Sequence, residues 1–300
     1  MKKKTYLFAL MAMVLTLGSC SDNENGIGGE TSKYITVSTS IGNMTRVATD
    51  AKGGQTFEEG DEISVYAWTG DATVAPETRE RVVNNAINKL TNGSWISTPQ
   101  MLWKNNRDKH YFIGVYPTAA ISDLSAGEYT FDVNKQTESD LLVAVNKDGL
   151  SYNVDEQQTV PLTFTHVMAK LVVNLTYKNQ WGGIPTVEKV VVGNAAKEAT
   201  INYLTKVVTP STTAKEDFSL PEITENTKYV SVIIPQEDVK QLTIVIGGKN
   251  FVYDNGTPFK LESGKITTVN LEVGRDEIKL GDVKITDWEN GSTFSGEALN

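Results

Sequence analysis

Hydrophobic and polar residues alternate along most of this chain, and that alternation limits the folds it can adopt. In residues 34–41 the side chains of Ile35, Val37 and Ile41 fall on one face, and residues 62–68 repeat the pattern. A period of two is typical of a β-strand with one buried face. The pattern therefore predicts strands at 34–41 and 62–68.

Several more stretches are rich in β-branched residues, as strands prefer; they span 171–175, 190–192, 229–234, 242–246 and 266–273. Three pairs lie between such runs: Asn92-Gly93, Asp148-Gly149 and Asn255-Gly256. Asn and Gly tolerate positive φ, so each pair predicts a hairpin turn. Only short stretches, such as residues 77–90, favour a helix.

Many short strands with frequent turns predict an all-β fold made of β-sandwiches rather than a parallel α/β fold. A hairpin at 141–154 and a fresh strand at 162–171 place a boundary near 157–161. We therefore expect an N-terminal β-sandwich domain at 31–160 and a C-terminal one at 161–275. Residues 276–300 form a separate segment.

The first residues have the order of a secretory signal peptide. Lysines at 2–4 precede an apolar run at 6–17, which is too short to span a bilayer as a helix. Small residues then lead to Cys20, the one cysteine of the chain. This order predicts a signal peptide at 1–19, and a single cysteine allows no internal disulfide.

The tetrapeptide Leu17-Gly18-Ser19-Cys20 resembles the lipobox of bacterial lipoproteins. The resemblance implies that the Cys20 thiol is acylated and anchors the chain to the outer membrane. Residues 20–30 are polar, acidic and glycine-rich, which predicts a flexible tether. Acidic residues after a lipobox also resemble a surface-export signal. The alternative is an ordinary signal peptide with a chance cysteine.

The charge balance argues against a nucleic-acid partner. The formal net charge is −9, and removal of 1–19 would delete three of the lysines. A nucleic-acid binder needs a basic surface, and the sequence shows no basic cluster outside the signal peptide. The acidity is typical of a soluble surface on an exported protein.

Several stretches together resemble the fimbrillin-like (major fimbrial subunit, Mfa-like) lipoproteins of Bacteroidetes. No single stretch is decisive, but their order covers nearly the whole chain. The matching stretches are FEEGDEISVY at 57–66, DLLVA at 140–144, FTHVMAKL at 164–171, SGKITTVNL at 263–271 and ITDWENG at 285–291.

This resemblance implies two transthyretin-like β-sandwich domains in tandem and a pilus assembled by strand exchange. It implies that a trypsin-like protease removes the N-terminal segment, here between Arg46 and Val47, together with strand 34–41. A strand from another copy or a related pilin subunit would fill the groove. The expected donor residues are Ile278, Leu280, Val283 and Ile285.

Each implication has an alternative. Strand 34–41 could be permanent, Arg46 could be a solvated loop residue, and the tail could be a self-paired closing strand. The chain could then be a pilus anchor, a tip subunit or a monomeric surface adhesin. An adhesin could bind glycans through its tryptophans, which are Trp68, Trp95, Trp103, Trp181 and Trp288.

The sequence offers little for catalysis. His166 alternates with Phe164 and Met168, which predicts a buried structural residue, and His110 is expected at a strand start. Two distant histidines and one cysteine make a poor metal site. Residues 132–136 lack the glycine and glutamate of a calcium loop, and we expect a turn there. No catalytic signature appears. We expect no enzyme activity and no cofactor.

Overall fold

β-Strands make up almost all of the regular structure. The computed structural model describes residues 33–42, 56–136, 139–153, 156, 158–254 and 256–288. The predicted sites Cys20, Arg46 and Val47 lie outside these residues. The all-β prediction is confirmed.

The first eight strands belong to the N-terminal half of the chain. They are β1 (Thr36–Ile41), β2 (Glu62–Thr69), β3 (Arg81–Thr91), β4 (Ser94–Thr98), β5 (His110–Tyr116), β6 (Gly127–Thr130), β7 (Leu142–Leu150) and β8 (Thr159–His166).

The remaining strands follow at short intervals. They are β9 (Ala169–Tyr177), β10 (Val187–Ala196), β11 (Glu198–Asn202), β12 (Val207–Pro210), β13 (Lys215–Ser219), β14 (Glu222–Thr224), β15 (Lys228–Ile233), β16 (Gln241–Ile246), β17 (Lys249–Asp254), β18 (Lys265–Val273) and β19 (Ile278–Asp287).

A seven-stranded sheet dominates the N-terminal half, in the order β1-β8-β7-β5-β2-β3-β4. All of its neighbours are antiparallel except β1 and β8, which run parallel. The sheet curls around a core of its own, to which β1, β2, β3, β5, β7 and β8 all contribute. Its two edge strands, β1 and β4, lie close together. Between them, the Trp95 indole donates a hydrogen bond to the Thr39 hydroxyl (3.0 Å).

Two sheets form the C-terminal half. One has the order β14-β15-β9-β18-β19 and the other β13-β10-β16-β17. Alternate residues of both sheets, such as Val173, Val269, Val192 and Ile244, meet in one hydrophobic cluster. This is the arrangement of a β-sandwich.

The two halves are joined by pairing and by packing. Strand β6 of the N-terminal half pairs with β11, in a three-stranded sheet of order β12-β11-β6. Tyr66 and Trp68 belong to the same hydrophobic cluster as the C-terminal sandwich. Strand β8 spans the expected boundary at 160/161 and pairs with β1 and β7. The domain limits stay a prediction.

The predicted helix at 77–90 is wrong. Residues Thr78–Glu80 make one short 3-10 turn, and Arg81–Thr91 form β3. Asn85 adopts φ 56° within β3 and breaks the alternation, so the run does not show a clean period of two. Among the described residues, no helix reaches the length and hydrophobicity needed to cross a membrane.

The three predicted hairpins had different outcomes. Asn92 and Gly93, both with positive φ, form the two-residue turn between β3 and β4, as predicted. Gly149 lies inside β7, where the pairing with β5 shifts register, so that prediction is wrong. Of the pair at 255–256, residue 255 lies outside the described residues; the strands on either side, β17 and β18, belong to different sheets and so do not form the predicted hairpin.

His110 begins β5, as expected, and is fully buried. The Lys104 backbone N–H donates to His110 Nε2 (3.0 Å), so this nitrogen carries a lone pair and the ring is neutral. Burial lowers the pKa of His110, and the backbone carbonyl of Asp108 acts in the opposite direction.

Because the pKa of His110 is lower in the folded state, the unfolded state takes up a proton first as the pH falls below about 6.5. We expect His110→Gln, which keeps an acceptor near Nε2 but does not titrate, to lose less stability between pH 7 and pH 5 than the wild type. The difference should reach at most about 1.4 kcal/mol per pH unit. Urea unfolding at several pH values measures it, and parallel curves for the two proteins would contradict it.

Candidate functional site

The residues expected to take part in strand exchange lie on two edge strands. The predicted strand at 34–41 is present as β1, and it lies at the edge of the seven-stranded sheet, where it pairs with β8. Ile278, Leu280, Val283 and Ile285 all lie on β19, at the edge of the five-stranded sheet. We call these two strands the β1 edge and the β19 edge.

The side chains on the inner face of the β1 edge are deeply buried. Ile35, Val37 and Ile41 are 3%, 6% and 7% exposed, and they pack in the core of the curled sheet with Leu162 and Phe164. The fourth inner position of this alternation, residue 39, is a half-buried threonine. The inner face of β1 thus presents two apolar side chains, then a hydroxyl, then a further apolar side chain.

Hydroxyl groups line the outer face of β1. The Thr36 hydroxyl lies 3.1 Å from that of Thr159, and the Ser40 hydroxyl lies 3.2 Å from that of Thr163. These pairs are exposed, and hydrogen bonds of this kind contribute about 1 kcal/mol or less each. The inner face therefore contributes most of what holds β1 to β8.

The backbone of β1 faces two ways. The Gly42 N–H donates to the Phe164 carbonyl (2.7 Å), while the Ile35 N–H donates in the opposite direction to the Met101 carbonyl (3.0 Å). In a parallel pair, successive residues point their backbone groups to opposite sides. Even-numbered residues of β1 therefore bond to β8, and odd-numbered residues point away from it.

A groove of about 680 Å³ runs along β1, between that strand and β4. Its walls include all of β1 together with Phe57, Leu90 and Trp95. Phe57 packs edge-on against Trp95, with ring centres 5.3 Å apart, and against Phe164 at 5.1 Å. Because Trp95 also bonds to Thr39, this aromatic pair links the two edge strands across the groove.

The β19 edge places its four apolar residues on one face, although their spacing is uneven. Leu280 pairs with Leu271 and Val283 pairs with Val269, so Gly281 is an extra residue that forms a bulge. Leu271 and Val269 are both buried core residues. The bulge therefore keeps the apolar residues of both halves of β19 on the face that lies towards the core.

Burial along β19 is shallow and uneven. Ile278 and Leu280 are half-buried against the core of the C-terminal sandwich, whereas Val283 and Ile285 are 39% and 38% exposed. The backbone of β19 is paired with β18 from Ile278 to Asp287. The strand is therefore fully paired but poorly packed in its second half.

At the N-terminal end of β19, contacts come from neighbouring loops. Lys178 forms an ion pair with Glu277, which lowers the pKa of that carboxyl group. The Arg275 guanidinium lies over the Trp181 ring, 5.5 Å from its centre. Both contacts are near the surface, where solvent screens such pairs and weakens them.

The other end of β19 is held by Trp288, which is only 4% exposed. Its ring stacks on the His166 imidazole, with ring centres 4.0 Å apart and an interplanar angle of 7°. The Lys170 ammonium lies 5.2 Å from the centre of the Trp288 ring. His166 in turn bonds to Asp140 (2.8 Å). We call these four residues the Trp288 clasp.

The Trp288 clasp has a structural role in this geometry. His166 is buried and hydrogen-bonded, as predicted. Burial lowers the pKa of Lys170, and the charge of Asp140 acts in the opposite direction. In the part of the chain that the structure describes, no group of three or more potential ligand residues could hold a metal ion. Residues 132–136 form a turn, as expected, in which the Asn134 N–H donates to the Asp132 carboxylate (2.9 Å).

Two parts of the site were missed by sequence reasoning. The contact between Trp95 and Thr39 joins residues 56 positions apart, and Trp288 lies far from His166 along the chain. Alternation identifies the strands, but it does not indicate which distant aromatic ring covers a strand. No signal in a single sequence could have paired these residues.

The Trp288 clasp should control how readily β19 opens. We expect Trp288→Ala to lower the free energy of opening of β19 by about 3 kcal/mol, because it removes a large buried aromatic ring. Hydrogen exchange of residues 278–287, followed by mass spectrometry, measures the opening.

Ile285→Ala is the control for this measurement. It removes a side chain that is already 38% exposed, so it should change the opening free energy of β19 by about 1 kcal/mol or less. Equal protection of β19 in the wild type and in Trp288→Ala would show that the clasp does not hold the strand.

Comparison with known sequences supports the reading of this fold. A profile described as fimbrillin-like matches residues 45–288. The chain is 26% identical over 325 residues to the "Putative fimbrium subunit Fim1C" of Bacteroides uniformis, with 99% of this chain and 100% of the relative covered.

Solved structures show the same fold. A "putative cell adhesion protein" from Bacteroides uniformis has a TM-score of 0.64 at 18% identity, with 86% of this chain and 100% of that chain covered. A fimbrial protein from Bacteroides vulgatus has a TM-score of 0.54 at 12% identity, with the same coverage. The profile covers more than half of the chain, so the chain belongs to the fimbrillin-like family, which is a family of fimbrial structural proteins and not of enzymes.

Proposed function

We propose that this chain is a subunit of a surface fimbrium that assembles by strand exchange, in which β1 leaves its sheet and a strand of another subunit takes its place. The observation that carries the proposal is the β1 edge itself. β1 pairs only with β8 among the described strands, and its inner side chains fill the core of the curled sheet. Its loss would leave an apolar trough and an unpaired strand edge, which an added strand can cover.

Removal of β1 requires a break in the chain after Ile41. Residues 43–55 join β1 to the rest of the sheet and contain Arg46 and Val47. We propose that a trypsin-like protease cuts between these two residues. β1 would then be held by non-covalent contacts alone, namely its pairing with β8, the pairing of residues 33–35 with 101–103 and its core contacts, and it could dissociate.

The donor in this proposal is the β19 edge. Its four apolar side chains, at 278, 280, 283 and 285, share one face, and two of them are substantially exposed. β19 is the edge of its sheet, so the ladder to β18 is the one ladder among the described strands that its departure breaks, together with the Trp288 clasp and the packing of Ile278 and Leu280. Partners are therefore other copies of this chain or related pilin subunits.

We propose that Cys20 carries the lipid that brings the precursor to the outer membrane. One acyl chain gives only marginal membrane binding, and two or three give a stable anchor. A cut after Arg46 would discard the lipid together with β1. The finished subunit would then be held in the fimbrium by strand pairing.

One observation favours a second candidate function, a fimbrial anchor subunit that keeps its lipid. Residues 33–35 pair with residues 101–103, since the Ile35 N–H bonds to the Met101 carbonyl and Tyr34 bridges to Leu102. This extends the attachment of the β1 edge beyond β8. A permanent first strand would suit an anchor.

Proteolysis of the chain 21–300 distinguishes these functions. With an arginine-specific trypsin-like protease, we expect one fast cut after Arg46 and then a ladder of oligomers on native mass spectrometry. Arg46→Gln should stay uncut there and monomeric, whereas Arg107→Gln, a change at an exposed arginine of the described part of the chain, should behave as the wild type. A chain that is cut after Arg46 but stays monomeric would contradict self-assembly by strand exchange.

The donor role has its own matched pair of variants. Ile285→Asp places a charge on the apolar face of β19, and Thr286→Asp places one on the opposite face. We expect the first to reduce oligomer formation at least tenfold, because a charge would enter an apolar trough, and the second to leave it within twofold. Equal effects of the two variants would argue against β19 as the donor.

A further inference from the structure

An arginine-specific protease would meet several arginines in this chain, at positions 46, 79, 81, 107 and 275. A cut after Arg275 would separate residues 276–300, and with them β19, from the body of the subunit. β19 would then no longer be joined covalently to its own subunit. Processing as proposed therefore requires a chain that is cut after Arg46 and stays intact after Arg275.

Arg275 lies at the tip of a hairpin, where proteases often cut. Residues 274–277 connect β18 to β19, and both Arg275 and Asp276 are exposed. Exposed loop tips are preferred sites of proteolytic nicking. Burial therefore does not protect the bond after Arg275, and protection has to come from contacts that hold this tip in place.

The backbone at this tip is bonded to residues 178–182, which follow β9 and which we call the Trp181 loop. The Lys178 N–H and the Trp181 Nε1–H both donate to the Val273 carbonyl, over 3.1 and 3.0 Å. A protease binds its substrate as an extended segment of several residues, so these hydrogen bonds have to open before the chain can be cut.

The Trp181 loop also lies directly against the next two residues. The Arg275 N–H donates to the Gln180 side-chain oxygen (3.0 Å). A Cβ atom added to Gly274 would lie 3.1 Å from that same oxygen and 3.1 Å from Lys178 Cδ, which is closer than ordinary contacts. A protease therefore cannot reach this side of the backbone while the Trp181 loop is in place.

The side chain of Arg275 is held as well. Its guanidinium lies over the Trp181 ring, 5.5 Å from the ring centre, where the ring attracts a cation. The Trp181 ring packs edge-on against Phe251 of β17, with ring centres 5.8 Å apart. A trypsin-like protease has to take the arginine side chain into its own acidic pocket, so Arg275 must first leave the Trp181 ring.

The residue that follows each arginine adds a second difference. An acidic residue follows three of the arginines and valine follows two, in the pairs Arg79-Glu80, Arg107-Asp108, Arg275-Asp276, Arg46-Val47 and Arg81-Val82. A neighbouring carboxylate competes with the protease pocket for the guanidinium. Arg81 is only 9% exposed and lies in β3. The sequence at Arg46 therefore favours cutting there over the sequence at Arg275.

We infer that the Trp181 loop determines where the chain is cut: it holds Arg275 away from the protease, so that processing removes the N-terminal segment and leaves β19 attached. The inference rests on the proposed function, because it concerns the same protease and the same donor strand. Trp181 acts here as a positioning residue, through its contacts with the Arg275 side chain and the Val273 carbonyl.

Limited proteolysis of the chain 21–300 carrying Arg46→Gln tests the inference, because the bond after Arg275 is then measured without the cut at 46. An arginine-specific trypsin-like protease is used, and mass spectrometry under denaturing conditions follows the release of residues 276–300. A free peptide of residues 270–281 gives the rate of the unprotected bond. We expect the folded chain to be cut at least a hundredfold more slowly than this peptide.

Trp181→Ala should raise the rate of this cut in the folded chain about tenfold, because it removes the ring under Arg275 and a donor to Val273. Ile184→Ala is the control. It shortens a side chain that is 65% exposed just after the Trp181 loop, and it should change the rate less than twofold. Gln180→Ala removes the acceptor of the Arg275 N–H at an exposed position, and it should raise the rate severalfold.

Hydrogen exchange separates this positioning role from a general loss of stability. Trp181→Ala should accelerate exchange at residues 274–278 and leave the rates at 283–287, beside the Trp288 clasp, within twofold. Equal acceleration of both stretches would show that Trp181 only stabilises the sandwich, and it would overturn the inference.

Two results of the proteolysis would also overturn the inference. One is an unchanged rate after Arg275 in both Trp181→Ala and Gln180→Ala, which would show that the hairpin turn alone protects the bond. The other is a folded chain that is cut after Arg275 as fast as the peptide. An uncut Arg46 in the wild-type chain would count against the proposed function alone, because the protection of Arg275 is measured in a chain without that arginine.

Discussion

The pairing of β1 with β8 is the interaction on which the N-terminal half depends. Six of the seven strands supply buried side chains to the centre of the curled sheet, and the segment 35–41 supplies Ile35, Val37 and Ile41. Burial of three such side chains is worth roughly 5–9 kcal/mol. A whole domain is stable by only about 5–15 kcal/mol. Loss of β1 without replacement would therefore leave this half marginal, so its departure and its replacement have to be closely coupled.

The two edge strands differ in how deeply their apolar side chains are buried. This difference favours β19 as the strand that is donated and the place of β1 as the site that receives it. β1 is a short strand with a deeply buried inner face, whereas β19 is long, fully paired and shallow. Strands with few buried apolar contacts are the ones that open most readily. Movement of Val283 and Ile285 from the surface into a trough shaped by β1 would bury apolar area that the isolated subunit leaves in water. That gain is the driving force the proposed assembly requires.

Much of the fold could be predicted from the sequence, because alternation is a local property. Strands at 34–41 and 62–68 and the turn at Asn92-Gly93 follow from it directly. The errors occur where backbone irregularity interrupts the period. Asn85 interrupts the alternation in β3, so this strand was predicted as a helix. Gly149 lies where β7 shifts register against β5, and this irregularity was predicted as a hairpin turn. The apolar face of β19 was found despite its bulge, but the rings that cover the edge strands were not. Their contacts join residues that only the completed fold brings together.

Strand β8 connects the two edges. It pairs with β1 up to Phe164, and two residues later it ends at His166, which stacks on Trp288 at the end of β19. In a fimbrium assembled as proposed, the incoming strand would lie along β8, and the outgoing tail would leave the body after Val273, at the end of β18 that pairs with Tyr177 and with the start of β19. Tension along the fibre would then act on the ladder of hydrogen bonds between the incoming strand and β8. Because the incoming strand runs along β8, this load would act in shear across several hydrogen bonds at once, which resists separation better than opening them one at a time.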